Sequence, residues 1–288
     1  MMPERRFVHT SVGLLHVACS GAGLPVLLLH QTPRSWDEYR GVLPLLGSHV
    51  RAIAMDTPGF GDSPVDSPVD LPVDSPVDSP GGAPPSIEAW AAAVLALLDA
   101  LALPQACIVG HHTGAVIGLE VAARAPDRVS ALVLSSCPMV DAERRAHHAD
   151  KAPIDTVVRS ADGAHLLQLW HGRQPFYPAG RADLLDRFVA DALRAGSMAA
   201  EGHRVVNRYR MEDRIGLVRA PTLVVAATDD PHAYPATRRV AGAIAGAEIV
   251  EIAGGTVPLP DAMPAAFSAA ILGFLQRLGF VGEDALRS

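Results

Sequence analysis

Six short apolar runs, each closed off by turn-forming residues, punctuate the chain at Pro25 to His30, Val50 to Asp56, Ala106 to Gly110, Ala131 to Ser136, Thr222 to Ala227 and Glu248 to Ile252. They are mainly apolar, the last of them broken by Glu248 and Glu251, and they predict buried strands of a parallel sheet. Apolar positions at helical spacing fall between several of them. These predict helices over Trp36 to Leu46, Ile87 to Leu101 behind a Ser86 N-cap, Ala115 to Ala125, and Tyr234 to Ala245. Repetition of strand, helix, strand implies right-handed crossovers, and so an α/β fold with a doubly wound, mostly parallel sheet. Ligands of such sheets sit beyond the carboxyl ends of the strands, so chemistry is expected in the loops after His30, Asp56, Gly110, Ser136, Ala227 and Ile252.

Two stretches interrupt this rhythm. Residues 64–80 repeat Pro-Val-Asp followed by Ser or Leu; the recurrent proline removes backbone donors and blocks helix, predicting an extended, mobile surface loop. Residues 138–218 carry amphipathic runs at Ala164 to Trp170 and Ala182 to Ala195. They are predicted to form a helical cap over the strand ends, leaving 1–137 and 219–288 as the core.

Composition narrows the function classes. With 288 residues, 49% hydrophobic and 19% charged, the chain is long enough to bury a large core. Its net charge of −7, without any basic block interleaved with aromatics, excludes a nucleic-acid partner. No apolar run approaches membrane-spanning length, so no membrane partner and a cytoplasmic location are expected. Cys19, Cys107 and Cys137 are odd in number and lack paired spacing, which predicts free thiols that are mostly buried. His147 and His148 have no companion at ligand spacing, so neither a metal nor another cofactor is expected. The expected partner is a small-molecule substrate. The oligomeric state stays open, with a homodimer among the options.

The segment Gly110-His111-His112-Thr113-Gly114 follows a strand and opens a helix. Small residues at both ends let the backbone make a sharp turn that pushes the middle side chain out above the sheet. Four further segments occur in order: His30-Gln31-Thr32-Pro33, Asp56-Thr57-Pro58-Gly59-Phe60-Gly61-Asp62-Ser63, Thr228-Asp229-Asp230-Pro231, and Gly254-Gly255-Thr256-Val257-Pro258. Together they resemble the motifs of the α/β-hydrolase superfamily. The resemblance implies that fold with a helical cap, a nucleophile elbow at His112, oxyanion-hole amides at Thr32 and Thr113, and a catalytic acid at Asp230. It also implies departures. The elbow of that family carries serine, cysteine or aspartate, where this chain has His112, and the base histidine is replaced by Thr256. Gln31 stands where the family's turn has glycine.

A serine hydrolase needs a hydroxyl whose proton passes to a carboxylate-oriented histidine; without Ser at 112 and His at 256 that relay is absent. Dehalogenase and epoxide hydrolase chemistry fails as well, for want of an elbow carboxylate. What remains is an imidazole, a side chain that ordinarily titrates near neutrality, within reach of a carboxylate. His112 with Asp230 is thus a candidate general base and acid. It would act on a small carbonyl-containing molecule, by activating water or by moving a carbon-bound proton in a lyase, cyclase or isomerase reaction. Thr256 as a nucleophile activated by His112, and an acyl-imidazole on His112 itself, are the covalent options. A catalytically silent binding protein is the alternative. His111 is read as structural and His232 as a loop residue. Arg144, Arg145, Arg204, Arg208 and Arg210 are read either as solvated surface or as anchors for an acidic substrate group.

Overall fold

A computed structural model of the chain describes residues 3–64, 84–152 and 154–282. The predicted loop over the Pro-Val-Asp repeat lies outside these residues from position 65 onward. Eight strands form one sheet: β1 Glu4–Thr10, β2 Gly13–Ser20, β3 Pro25–Leu29, β4 Arg51–Met55, β5 Ala106–His111, β6 Val129–Ser135, β7 Thr222–Ala227 and β8 Glu248–Ile252. Their order is β1-β2-β4-β3-β5-β6-β7-β8, parallel from β4 to β8, with the β1–β2 hairpin added antiparallel at one edge. The hairpin escapes the apolar reading because β1, Glu-Arg-Arg-Phe-Val-His-Thr, has a single neighbour and is mostly exposed. Charged residues on such an edge discourage pairing with another chain.

Helices cover both faces. α1 Val42–Gly47, α2 Ile87–Ala100 and α3 Thr113–Arg124 precede four helices inserted between β6 and β7: α4 Ala142–His148, α5 Ala164–Arg173, α6 Ala182–Ala195 and α7 Met198–Arg208. α8 Thr237–Gly242, α9 Leu259–Ala262 and α10 Pro264–Arg277 follow. Successive strand residues point to opposite faces. Leu27 and Leu29 therefore pack towards Trp90 and Leu119 of α2 and α3, while Val26 and Leu28 pack towards Leu43 and Phe267 of α1 and α10. Each such side chain contributes about 1.5–3 kcal/mol by leaving water. Two helices depart from the spans their periodicity predicts. The stretch from Trp36 is a 3-10 turn to Tyr39 and resumes as a helix only after Gly41, and the stretch from Tyr234 stops at Gly242. Both interruptions coincide with glycine, a weak helix former. Cys107 and Cys137 are buried free thiols and Cys19 is partly exposed. Among the described residues no helix is long and apolar enough to cross a membrane.

The turn after β4 is fastened by its own polar residues. Asp56 accepts from the amides of Trp36 at 2.6 Å and Asp62 at 2.8 Å and from His16 Nδ1 at 2.8 Å, while the Ser63 hydroxyl donates to the Asp56 carbonyl at 2.7 Å. A Cβ on Gly61, whose φ is +55°, would stand 2.3 Å from the Asp56 carboxylate.

Buried charge ties the insertion to the sheet domain. Arg34, wholly buried, donates from Nε to Asp191 of α6 at 2.8 Å and from Nη1 to Asp261 of α9 at 2.9 Å. Arg187 of α6 reaches both Asp37 and Asp261 at 2.5 Å. At the far end of the insertion, Glu120 of α3 accepts from the Tyr209 hydroxyl at 2.7 Å and from Arg214 Nε at 2.9 Å.

Candidate functional site

β5 hands over to α3 at His112, whose φ of +47° and ψ of −109° lie in a region that L-residues rarely occupy. The flanking glycines permit this turn by their lack of side chains. A Cβ on Gly110 would sit 2.1 Å from the Gly114 carbonyl oxygen, and one on Gly114 would sit 1.9 Å from that of Leu29. The imidazole of His112 is thereby held above the carboxyl edge of the sheet, 15% exposed, with Nε2 at 2.8 Å from Oδ2 of Asp230. The two atoms are in close contact without forming a hydrogen bond of good geometry. The His112 ring makes no hydrogen bond among the described residues, its buried Nε2 included, and His112 lines a cavity.

Asp230 is fully buried. Its Oδ1 accepts from the amides of His232 at 3.0 Å and Ala233 at 3.3 Å. Burial pushes its pKa up, but His112 and the amides outweigh that effect and hold the carboxyl well below the usual range. His111 is structural, as its position before the elbow predicts. Its Nε2–H donates to the Val257 carbonyl at 2.8 Å and its Nδ1 accepts from the Ser135 hydroxyl at 2.9 Å. It also packs edge-on against the His112 ring, with centroids 4.7 Å apart. Burial, with His112 beside it, pushes His111 down to about 3, so it is neutral at ordinary pH.

Two backbone amides face the elbow. That of Thr113 begins α3, where no intrahelical acceptor exists, and that of Thr32 donates only weakly, to Thr113 Oγ1 at 3.3 Å. The Thr32 turn is rigidly held. Gln31, in the place of a glycine, donates its amide to Glu38 Oε2 at 3.0 Å and its side-chain Nε2 to Oε1 at 2.6 Å. His30 accepts from the Thr57 amide at 2.9 Å and donates to the Gln31 carbonyl at 2.9 Å. Burial raises the Glu38 carboxyl to about 7, against the opposing pull of Arg34 and the Gln31 donors. From above, α7 presses on this turn, for a Cβ on Gly202 would stand 2.7 Å from Thr32 Cγ2.

Thr256 is partly buried, and its hydroxyl has no hydrogen-bond partner among the described residues. It therefore makes no bond to His112, and its neighbour Val257 lines the cavity instead. That cavity, of about 120 Å³, is lined by His112, Thr32 and Thr113 from the strand-end loops and by Arg144, Arg173 and His203 from the insertion. His232 is exposed at its rim, with its ring centroid 4.5 Å from that of Phe176. Sequence reading missed the buried set in the opposite wall. Arg173 of α5 donates to Asp155 Oδ1 at 3.0 Å, and His203 of α7 meets Asp155 Oδ2 at 2.8 Å. Three residues on three separate segments share no local pattern, so only the folded chain brings them together.

Comparison with known proteins agrees with this fold. The chain is 36% identical over 135 residues to epoxide hydrolase 2 of Siraitia grosvenorii, covering 43% of this chain and 37% of that one. It is 35% identical over 117 residues to 2-hydroxy-6-oxo-2,4-heptadienoate hydrolase of Pseudomonas putida, covering 40% and 37%. Each match thus spans little more than a third of the relative's length. Among solved structures, the enol-lactonase from Burkholderia xenovorans LB400 superposes with a TM-score of 0.71 at 20% identity, over 94% of this chain and 100% of that one. These relatives are hydrolases of small molecules. The sequence pattern described as alpha/beta hydrolase fold matches residues 25–255, and the chain belongs to that family.

Proposed function

We propose that the protein is an enzyme acting on a small carbonyl compound, with His112 as general base and acid. The reading rests above all on the elbow imidazole, whose Nε2 faces the Asp230 carboxylate at 2.8 Å in a residue that lines the cavity. The carboxylate favours the tautomer with the proton on Nε2, so that Nδ1 carries the lone pair. A water held against the substrate carbonyl gives its proton to Nδ1 as its oxygen bonds to the carbonyl carbon. The carbonyl oxygen, now negative, is met by the amides of Thr32 and Thr113; the 3.3 Å contact that occupies Thr32 is weak enough for an oxyanion to displace. As the tetrahedral adduct collapses, Nδ1–H returns the proton to the leaving oxygen or nitrogen. The same base can instead take a proton from the carbon next to the carbonyl, the two amides then stabilising an enolate. The insertion between β6 and β7 serves as the cap that shuts the reaction off from bulk water.

General-base catalysis contributes about 10²–10⁴-fold and one oxyanion donor about 10²–10³-fold. His112→Ala should therefore lower turnover of small activated esters, or deuterium exchange at the α-carbon of a small ketone, at least about 100-fold. Asp230→Asn should lower it less steeply, since it only orients the base. Both reactions are followed, by absorbance and by proton NMR, in the parent and each variant. Unchanged rates in a folded His112→Ala variant would refute the assignment. A parent inactive in both would favour a silent binding protein, a reading that has one observation of its own, the Thr113 hydroxyl lying on the Thr32 amide.

A further inference from the structure

The wall of the cavity facing His112 holds donors that the protein itself leaves without acceptors. Arg144, on α4, is partly buried and donates from Nε to Asn207 Oδ1 at 3.1 Å. Its two Nη groups make no hydrogen bond, and no carboxylate pairs with it among the described residues. The adjacent Asp141 is already engaged, accepting the Arg144 backbone amide at 2.9 Å and pairing with Arg239. Neighbouring arginines differ: Arg145 pairs with Glu212, Arg173 with Asp155, and Arg204 and Arg208 with Glu201. Asn207 spends its carbonyl oxygen on Arg144, so its Nδ2 group is also free to donate. Burial lowers the pKa of Arg144, the signature of a cation that loses hydration without gaining a counter-ion.

A second cavity of about 240 Å³ continues outward from the first, sharing His148, Ile154, His203 and Asn207 with it and passing Arg145, Lys151 and Arg204. Among the described residues neither cavity has an aspartate or glutamate in its lining, and although Arg145, Arg204 and Arg208 are matched by Glu212 and Glu201, Arg144 and Lys151 pair with no carboxylate. An unmatched cation in a cleft draws in an ion of opposite charge.

We infer that the substrate carries a carboxylate, gripped by Arg144 Nη groups and Asn207 Nδ2 across the cavity from His112 and reached through this basic passage. A guanidinium edge matches the two oxygens of a carboxylate, and a single unpaired arginine balances a single negative charge. In a cavity of about 120 Å³, the carboxylate and the reacting carbonyl are then only a short spacer apart. The inference deepens the catalytic reading of His112 and rests on it for the identity of the reacting end, but its test needs no turnover.

The probes are 4-oxopentanoate, which has a ketone two carbons from a carboxylate, and its neutral isostere 4-oxopentanamide; neither has an ester to hydrolyse. Titration calorimetry at low salt should show the carboxylate binding the parent at least about tenfold more tightly than the amide, the range of a charge-assisted hydrogen-bond pair. Arg144→Gln should erase that preference, and Arg144→Lys should restore part of it. Should Arg144→Gln fail to fold, Asn207→Asp supplies an internal counter-ion and should erase the preference equally. Equal affinities in the parent, binding of neither probe at 10 mM (about the limit of millimolar affinities), or a preference surviving in both variants would overturn the inference. His112→Ala should keep the preference. A parent that shows the preference but no turnover retains the carboxylate site and loses the catalytic reading.

Discussion

Acidification tests how firmly the elbow is bound to the loop opposite. His111 is wholly buried, its Nε2–H donated to the Val257 carbonyl at 2.8 Å and its Nδ1 accepting from Ser135 at 2.9 Å. Burial, reinforced by His112, pushes it from an ordinary 6.5 down to about 3. The unfolded chain therefore takes up a proton near pH 6.5 that the folded chain refuses until about pH 3. The associated stability is fully present above pH 6.5 and is lost progressively as pH falls towards 3. At about pH 5 the gap from the unfolded pKa is roughly 1.5 units, and at about 1.36 kcal/mol per unit the loss is about 2 kcal/mol relative to pH 8. His30, His203 and His232 are also shifted downward by burial and add to the slope of the parent. The His111 share is isolated with His111→Gln, which keeps a donor and an acceptor but does not titrate. Urea unfolding at about pH 8 and pH 5 should show the parent losing about 2 kcal/mol more than the variant between the two. Identical losses would mean that His111 is hydrated or already charged in the native state, and that the tie to Val257 is not as described.

Gly114→Ala would place a methyl 1.9 Å from the Leu29 carbonyl oxygen; a collapse of the thermal midpoint, or failure to obtain folded protein, is expected, and a stable variant would show that the elbow can relax. Arg34→Leu leaves Asp191 without its cation and Asp261 with Arg187 alone and should cost about 3–5 kcal/mol in denaturant titrations. His112→Ser with Thr256→His should restore a serine, a base and Asp230 beside the Thr32 and Thr113 amides, giving a burst with p-nitrophenyl acetate that neither single change produces. A folded double variant without a burst would indicate that the amides or Asp230 are misplaced for acyl transfer.

The sheet was legible because its inner strands are apolar without interruption, and each of the six runs became a strand. The hairpin at Glu4–Ser20 was not, since a strand with one neighbour and one wet face has no such run. Nor does local periodicity reveal that Gly41 splits the helix predicted from Trp36. At the site, His112 and Asp230 stand far apart in the chain but end up in contact; only their placement in two ordered motifs pointed to the pairing. Thr256 carried an equally suggestive motif, yet its hydroxyl reaches no partner among the described residues. The set of Asp155, Arg173 and His203 left no trace in any window of sequence, because its logic is the neutralisation of buried charge across three segments.

The ion pairs at Arg34 and Glu120 also bear on traffic into and out of the cavity. They fasten α6 and the end of the insertion with charges that cannot be parted cheaply. Separating even one buried pair costs about 3–5 kcal/mol, so an insertion lifted away as a unit would be present in roughly one molecule in a thousand. Among the described residues the stretch from α4 to α5 is tied to the sheet domain by the exposed Arg239, which pairs with Asp141 and Glu143, and by no buried ion pair, and it exposes Ile154 and Val158 to water. Small displacements of this arm are the less costly route for a molecule to pass. Arg144 lies near its base, on α4, so a carboxylate held there as inferred above would be released by movement of this arm.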